Sequence, residues 1–221
     1  MLSPFDLLRL AREAGVSTSE AIGRFTIRRG SILKFRDDGA CVALEGARCG
    51  VHRGRPLACR LYPLGIERDR ARGDDKFVTL EAAVGSLGVY GERGTVDDFL
   101  AAQGVGPSLD ANARYASLLP IYRVRIAATI DFDRIIPREF WRCAVREALA
   151  ESGYDPNPLI DATFDPDGFG CGRASDVDTV AGHIGVLSEM IRRELNPDIL
   201  AAAAVMLAVS LGYSPSEVIA D

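Results

Sequence analysis

The second half of the sequence is dominated by apolar residues that recur at the spacing of an α-helix. After Thr95 this periodicity covers five segments, and they are residues 96–103, 109–129, 138–152, 177–195 and 198–211. The pattern predicts a layer of packed helices rather than a parallel sheet with crossover helices. Helical spacing covers most of the chain after Thr95.

Signals for helix ends also predict two helices at the N-terminus. Ser3 and Pro4 are typical of a helix cap and its first residue, and the apolar spacing that follows ends at Gly15. The run 17–20, Ser-Thr-Ser-Glu, has the form of a capping box and predicts a second short helix that ends near Phe25.

Strand signals are confined to the region between these helices and Thr95. The Asp38-Gly39 pair lies between the apolar runs 32–35 and 41–44, which predicts a β-hairpin. Residues 45–73 are rich in Gly, Arg and Pro, so we expect irregular loops with at most one turn of helix. Residues 77–80 are a further candidate strand.

These elements together predict an α+β fold that is predominantly helical. We expect a small N-terminal hairpin with a loop-rich cysteine site in residues 1–104 and a helical C-terminal region in residues 105–221, packed on the first. The Pro- and Gly-rich segment 155–175 is predicted to be the longest loop.

The bulk composition limits the partners to expect. A chain of 221 residues can bury a hydrophobic core without disulfide crosslinks. Its net charge of −5 argues against general binding to nucleic acid. The most apolar stretch, residues 199–211, is shorter than the roughly 20 residues of a membrane span, and no secretory signal is visible. We therefore expect a cytoplasmic protein that binds neither nucleic acid nor membranes.

Cysteine is the residue type most suggestive of chemistry. The chain has five cysteines, and Cys41, Cys49 and Cys59 lie within nineteen positions of the loop-rich region. Thiolates suit zinc and iron, and loops around a metal can bring ligands together. Arginines near the cysteines would offset the negative charge of several thiolates, and they are Arg48, Arg53, Arg55 and Arg60. The alternative is that the three cysteines simply pack as small hydrophobic residues.

A metal site of this kind usually has four donors, and three cysteines leave one position open. His52, three residues after Cys49, is one candidate for the fourth donor. Cys171 is another, because the glycines on both sides of it permit close approach of the backbone. Cys143 has apolar neighbours on a predicted helix and is expected to lie in the core. His183 lies on another predicted helix and is expected to be a packing or surface residue.

The cysteine segment resembles a known family. The run C-x7-C-x9-C-R, with Arg55-Pro56 before Cys59 and Tyr62-Pro63 after Arg60, is similar to the zinc- or iron-chelating cysteine-cluster family of the YkgJ type. The resemblance covers about the first hundred residues and ends near Gly104. It implies that the cysteines hold zinc, iron or an iron–sulfur cluster, and that the helices before them belong to the same unit.

The sequence departs from that family in two respects. Family members often carry a cysteine in the Gly-rich stretch after the second strand, where residues 86–91 read Ser-Leu-Gly-Val-Tyr-Gly. The family places a Cys-x-x-Cys-Cys group just upstream of the Leu2-Ser3-Pro4 helix, where this sequence begins. We expect the chain that starts at Met1 to bind metal weakly or substoichiometrically, and an upstream Cys-x-x-Cys-Cys segment to raise its metal content and thermal stability.

Three functions remain open from the sequence. The first is a metal-ion or iron–sulfur-cluster binding protein, whose helical half packs on the cysteine site or presents a surface to a protein partner. The second is an enzyme, since a similar cysteine pattern occurs in flagellin lysine N-methylases, although no Gly-rich S-adenosylmethionine motif is visible here. The third is a metal-free interaction scaffold. Dinucleotide, calcium-loop and serine-hydrolase motifs are also not visible.

Overall fold

The fold is α+β and predominantly helical, as the sequence predicts. A computed structural model describes residues 1–69, 74–81, 94–129, 158–170 and 175–213. Its helices are α1 (Pro4–Ala14), α2 (Thr18–Phe25), α3 (Leu57–Leu61), α4 (Val96–Gln103), α5 (Gly106–Ala116), α6 (Leu119–Thr129), α7 (Pro158–Phe164), α8 (Asp176–Arg193) and α9 (Pro197–Ser210), with a 3₁₀ turn at Arg28–Gly30.

The strands form two-stranded antiparallel sheets. β1 (Thr26–Ile27) pairs with β2 (Ile32–Leu33), β3 (Leu44–Glu45) with β4 (Arg48–Cys49), and β5 (Leu64–Asp69) with β6 (Asp74–Thr79). Each sheet is a local hairpin, so the described strands add no long-range sheet to the fold. Long-range order must therefore come from helix packing and from contacts between loops and helices.

The N-terminal helices begin and end at the predicted residues. Ser3 accepts a hydrogen bond from the Asp6 amide at the start of α1, and Gly15 ends that helix with a left-handed φ of 69°. Such a φ favours glycine because it lacks a Cβ. Ser17 accepts from the Glu20 amide at the start of α2.

The largest hydrophobic core lies between α1 and the helices α5 to α9. α9 is buried almost all round, from Leu200 to Ala208, which explains why its sequence is apolar without a polar face. α1 contributes Phe5, Leu7 and Leu8 to this core. Among the described helices, none has both the length and the apolarity needed to cross a bilayer.

Two helical predictions need correction. The predicted helix 109–129 is two helices, because the chain turns between α5 and α6 at Ser117 and Leu118. The predicted loop 155–175 contains α7, whose residues Leu159, Ile160 and Phe164 are buried in the main core. Flanking prolines and glycines hide this short apolar helix from a periodicity argument. The predicted helix at 138–152 lies outside the described residues.

The hairpin prediction is right about the turn and wrong about the extent of pairing. Gly39 has a φ of 79°, and the Arg36 amide donates to the Ala40 carbonyl at 2.8 Å. Pairing beyond the turn is limited to the bridge between Phe35 and Cys41 and one Val42 amide bond to Lys34. β2 instead pairs with β1. β5, which lies in the segment expected to be loop, pairs along its whole length with the correctly predicted strand β6.

Candidate metal centre

The cysteine-bearing loops lie along α1. Arg9 Nη2 donates to the Arg53 carbonyl at 3.3 Å. A Cβ on Gly54 would lie only 2.4 Å from the Arg9 carbonyl oxygen, so this glycine allows the loop backbone to touch the helix. The loop at Arg53 and Gly54 therefore packs directly against α1.

Cys41 and Cys49 are half-buried and come from two different hairpins. Cys41 forms the bridge with Phe35, and Cys49 pairs with Leu44 across β3 and β4. Both pack against one small apolar cluster, which consists of Leu10, Ala11, Ala21, Phe25, Ala43 and Val51. The two thiols are thus held beside α1 and α2 by hydrophobic contact.

Cys59 lies on α3 and is exposed. The first amide of α3, Leu57 N, donates to Asp6 Oδ1 at 2.8 Å, which ties this helix to the start of α1. Leu57 and Leu61 pack with Val105 in a separate small cluster. Cys59 is therefore positioned both by a buried carboxylate and by apolar contacts on the far side of α3.

The surroundings of Cys59 oppose its ionisation. The pKa of Cys59 is raised to about 11, chiefly because neighbouring protein atoms desolvate its thiol and in part because of negative charge on Cys41, Asp6 and Cys49, while Arg55 acts in the opposite direction. At neutral pH without a cation, Cys59 is therefore a thiol rather than a thiolate.

Arg60 organises the backbone around Cys59. Its Nε donates to the Arg55 carbonyl at 3.0 Å and its Nη1 to the Gln103 carbonyl at 2.9 Å, while Nη2 donates to the Arg53 carbonyl. Burial, together with the positive charges of Arg55 and Arg9, lowers the pKa of Arg60. One guanidinium thus joins the loop before α3 to the end of α4.

His52 is exposed and faces a cation. Arg55 Nη1 lies 3.2 Å from His52 Nδ1 and 3.1 Å from Nε2, and Arg55 Nη2 donates to the Gln103 side chain. Because a guanidinium nitrogen can only donate, the imidazole accepts in this contact. Ligation by His52 would require the ring to leave Arg55. Cys171 and Cys143 lie outside the described residues.

The donor chemistry fits a thiophilic ion, although the described side chains do not form a closed site. Three thiols are the donors that zinc and iron favour. Within the described ranges, no group of three or more His, Cys, Asp or Glu side chains is arranged to hold a metal ion. The structure places Cys41 and Cys49 against the apolar cluster beside α1 and Cys59 on α3, and it places His52 against Arg55.

Sequence reasoning missed one residue of this region, Asp6. Its carboxylate is buried, with 4% of the residue exposed, and it accepts from Ser3 as well as from Leu57. Burial raises the pKa of Asp6, and the hydrogen bonds from Ser3 and Leu57 lower it in part. The capping-box position of Asp6 was visible in the sequence, but its contact with a residue 51 positions away was not.

Comparisons with known proteins yielded no relative: no family model matches the chain, and no match was found among curated proteins or solved structures.

Proposed function

We propose that this protein binds zinc, iron or an iron–sulfur cluster through Cys41, Cys49 and Cys59. The observation that supports this is that Cys41 and Cys49 pack against one apolar cluster beside α1, while Cys59 lies on a helix that the Leu57–Asp6 hydrogen bond ties to the start of α1. The cysteine spacing and its resemblance to the chelating family point in the same direction.

The electrostatics of the site favour a cation. Deprotonation of Cys59 is opposed by desolvation and by negative charge on its neighbours, and a divalent ion would offset both by supplying positive charge. Binding would therefore release protons from the thiols. Because ligands from both hairpins and from α3 would be joined, the bound ion would also stabilise loops that have only small apolar clusters of their own.

Metal analysis of the protein purified without oxygen tests the proposal. We expect bound zinc or iron, and visible absorption if the group is an iron–sulfur cluster. Each of Cys41→Ser, Cys49→Ser and Cys59→Ser should lower the metal content, because each removes one soft donor. If wild type and all three variants are equally free of metal after growth with added zinc or iron, the proposal is contradicted. The metal-free interaction scaffold would then be the favoured function.

The fourth donor can be found by the same measurement. His52→Gln and Cys171→Ser each remove one candidate, and the matched control is Cys143→Ser, which changes a thiol outside the proposed ligand set. We expect the variant that removes a true ligand to weaken metal binding by at least about 10- to 100-fold. Loss of a residue that merely hydrogen-bonds to a metal ligand already has an effect of about that size. Unchanged binding in both would assign the position to solvent or to another group.

A further inference from the structure

The described residues contain two capping boxes that match each other atom for atom. In α1, Ser3 N and Ser3 Oγ donate to Asp6 Oδ2 at 2.8 and 3.0 Å, and Asp6 N donates to Ser3 Oγ at 3.2 Å. In α4, Thr95 N and Thr95 Oγ1 donate to Asp98 Oδ2 at 2.9 and 2.8 Å, and Asp98 N donates to Thr95 Oγ1 at 3.2 Å. Local sequence explains both boxes equally.

The two carboxylates differ in everything beyond the box. Asp98 is exposed, whereas Asp6 is buried. The second oxygen of Asp6 accepts the Leu57 amide at 2.8 Å, which is the first amide of α3. Burying a carboxylate is costly, so a capping function alone does not account for the location of Asp6.

α3 depends on this external acceptor. Its N-cap residue is Pro56, which makes no side-chain capping hydrogen bond. Helices normally satisfy their first amides with a capping side chain or with water, and here a carboxylate of another helix accepts the first one. A five-residue helix has little stability of its own, so contacts from outside must hold it.

We propose that Asp6 is the positioning residue of the thiol site: its carboxylate caps α1 and α3 together, and thereby holds Cys59 beside Cys41 and Cys49. Cys59 is only two residues after Leu57, so its place relative to α1 follows from that hydrogen bond. Cys41 and Cys49 are placed against α1 by the apolar cluster that contains Leu10 and Ala11. The inference deepens the proposed metal-binding function, but it concerns the proximity of the thiols and can be tested without metal.

Disulfide trapping in the full-length, metal-free protein measures this proximity. The azo reagent diamide takes up the two hydrogens as two thiols join, and peptide mass spectrometry identifies disulfides from Cys59 to Cys41 or Cys49. We expect wild type and the matched control Asp98→Ala to form these at the same rate. Asp6→Ala should slow them about tenfold, the effect of losing one hydrogen bond to a charged group.

The charge of Asp6 cannot produce that result. Removing a negative charge near Cys59 favours its thiolate and by itself speeds the reaction with diamide. Slower trapping in Asp6→Ala therefore reports loss of position. Equal or faster trapping in that variant, or no disulfide from Cys59 in wild type, would overturn the proposal.

A second pair of variants covers the case in which Asp6→Ala does not fold. Leu57→Pro deletes the donating amide at the first position of α3, where proline is tolerated. Leu57→Ala loses the same apolar side chain and keeps the amide. We expect about tenfold slower trapping in Leu57→Pro than in Leu57→Ala, and equal rates would contradict the positioning role. A parallel titration of wild type with Co²⁺ tests the metal-binding function separately. Absence of Co²⁺ binding would contradict that function, whereas the trapping rates alone decide the positioning role of Asp6.

Discussion

The helical core and the cysteine region are held together by different interactions. In the core, α1 and α5 to α9 bury large side chains completely, among them Phe164, Leu187 and Leu207. In the cysteine region the buried side chains form two small clusters, and the loops are fixed by a few hydrogen bonds that Arg9 and Arg60 donate and Asp6 accepts. The core therefore depends mainly on buried apolar surface, whereas the position of the cysteine loops depends more on individual polar contacts.

The largest expected difference concerns apolar truncation. Phe164→Ala should lower the free energy of unfolding by about 3–5 kcal/mol, since the residue is fully buried in the main core. Val51→Ala, in the cluster beside Cys41 and Cys49, should cost about 1–2 kcal/mol because less apolar surface is lost. Urea denaturation followed by circular dichroism measures both, and equal losses would remove the contrast between the regions.

Acid should weaken the core through His183. This residue is fully buried, and its Nε2 donates to the Ala162 carbonyl at 2.7 Å while Nδ1 accepts from the Tyr115 hydroxyl at 2.8 Å. Since a carbonyl can only accept, Nε2 carries a hydrogen, and in the neutral ring Nδ1 is then the acceptor for the Tyr115 hydroxyl. Burial lowers the pKa of His183 to about 4 from its ordinary value of 6.5.

The sign of the pH effect follows from proton uptake. Between pH 6.5 and 4 the unfolded chain binds a proton at His183 and the folded protein does not, so stability falls as the pH is lowered through this window. The full loss is on the order of 3 kcal/mol. In His183→Gln, whose amide can still donate to Ala162, this part of the pH dependence should vanish. An unchanged slope of unfolding free energy against pH would contradict it.

A smaller effect is expected where α8 is joined to α1. Asp176 accepts from Arg9 Nη1 at 3.2 Å and also pairs with Arg12, and the side chains are about one third exposed. Asp176→Asn should lower the free energy of unfolding by about 1 kcal/mol, because solvent screens such pairs. A loss comparable to that of Phe164→Ala would show that polar contacts dominate here as well.

The smallest effect is expected on the outer face of α8. Glu189 pairs with Arg193 one turn later, with Oε1 2.6 Å from Nε, and both side chains are at least half exposed. Glu189→Gln should change the free energy of unfolding by no more than about 0.5 kcal/mol. A melting curve that overlays the wild type would fit this expectation, and a clear shift would contradict it.

The sequence predicted the elements whose signals are local. The cap at Ser3, the stop at Gly15 and the whole of α4 need only residues within one or two turns. β1 and β5 have two and six residues and lie in irregular sequence. They become strands only through their pairing partners, so the sequence pattern did not predict them. α7 was missed because its burial depends on contacts with distant helices.

The candidate site divides in the same way. Spacing and residue type predict Cys41, Cys49 and Cys59 as ligands, because this prediction needs only residues close together in the sequence. The contact of His52 with Arg55 and that of Asp6 with Leu57 are products of the fold. No property of Asp6 in the sequence separates it from Asp98, which occupies the same position in another capping box.

The position of α1 between the two regions has a consequence for communication through the molecule. One face of this rigid rod belongs to the main core and the other carries the cysteine loops. If binding of an ion stabilises the packing of the loops on α1, and α1 must be in place for the ion to bind, then the bound ion also opposes removal of α1 from the core helices. The two effects share one coupling free energy, because such coupling is reciprocal. A partner that displaced α1 from the core would, by the same rule, weaken binding of the ion.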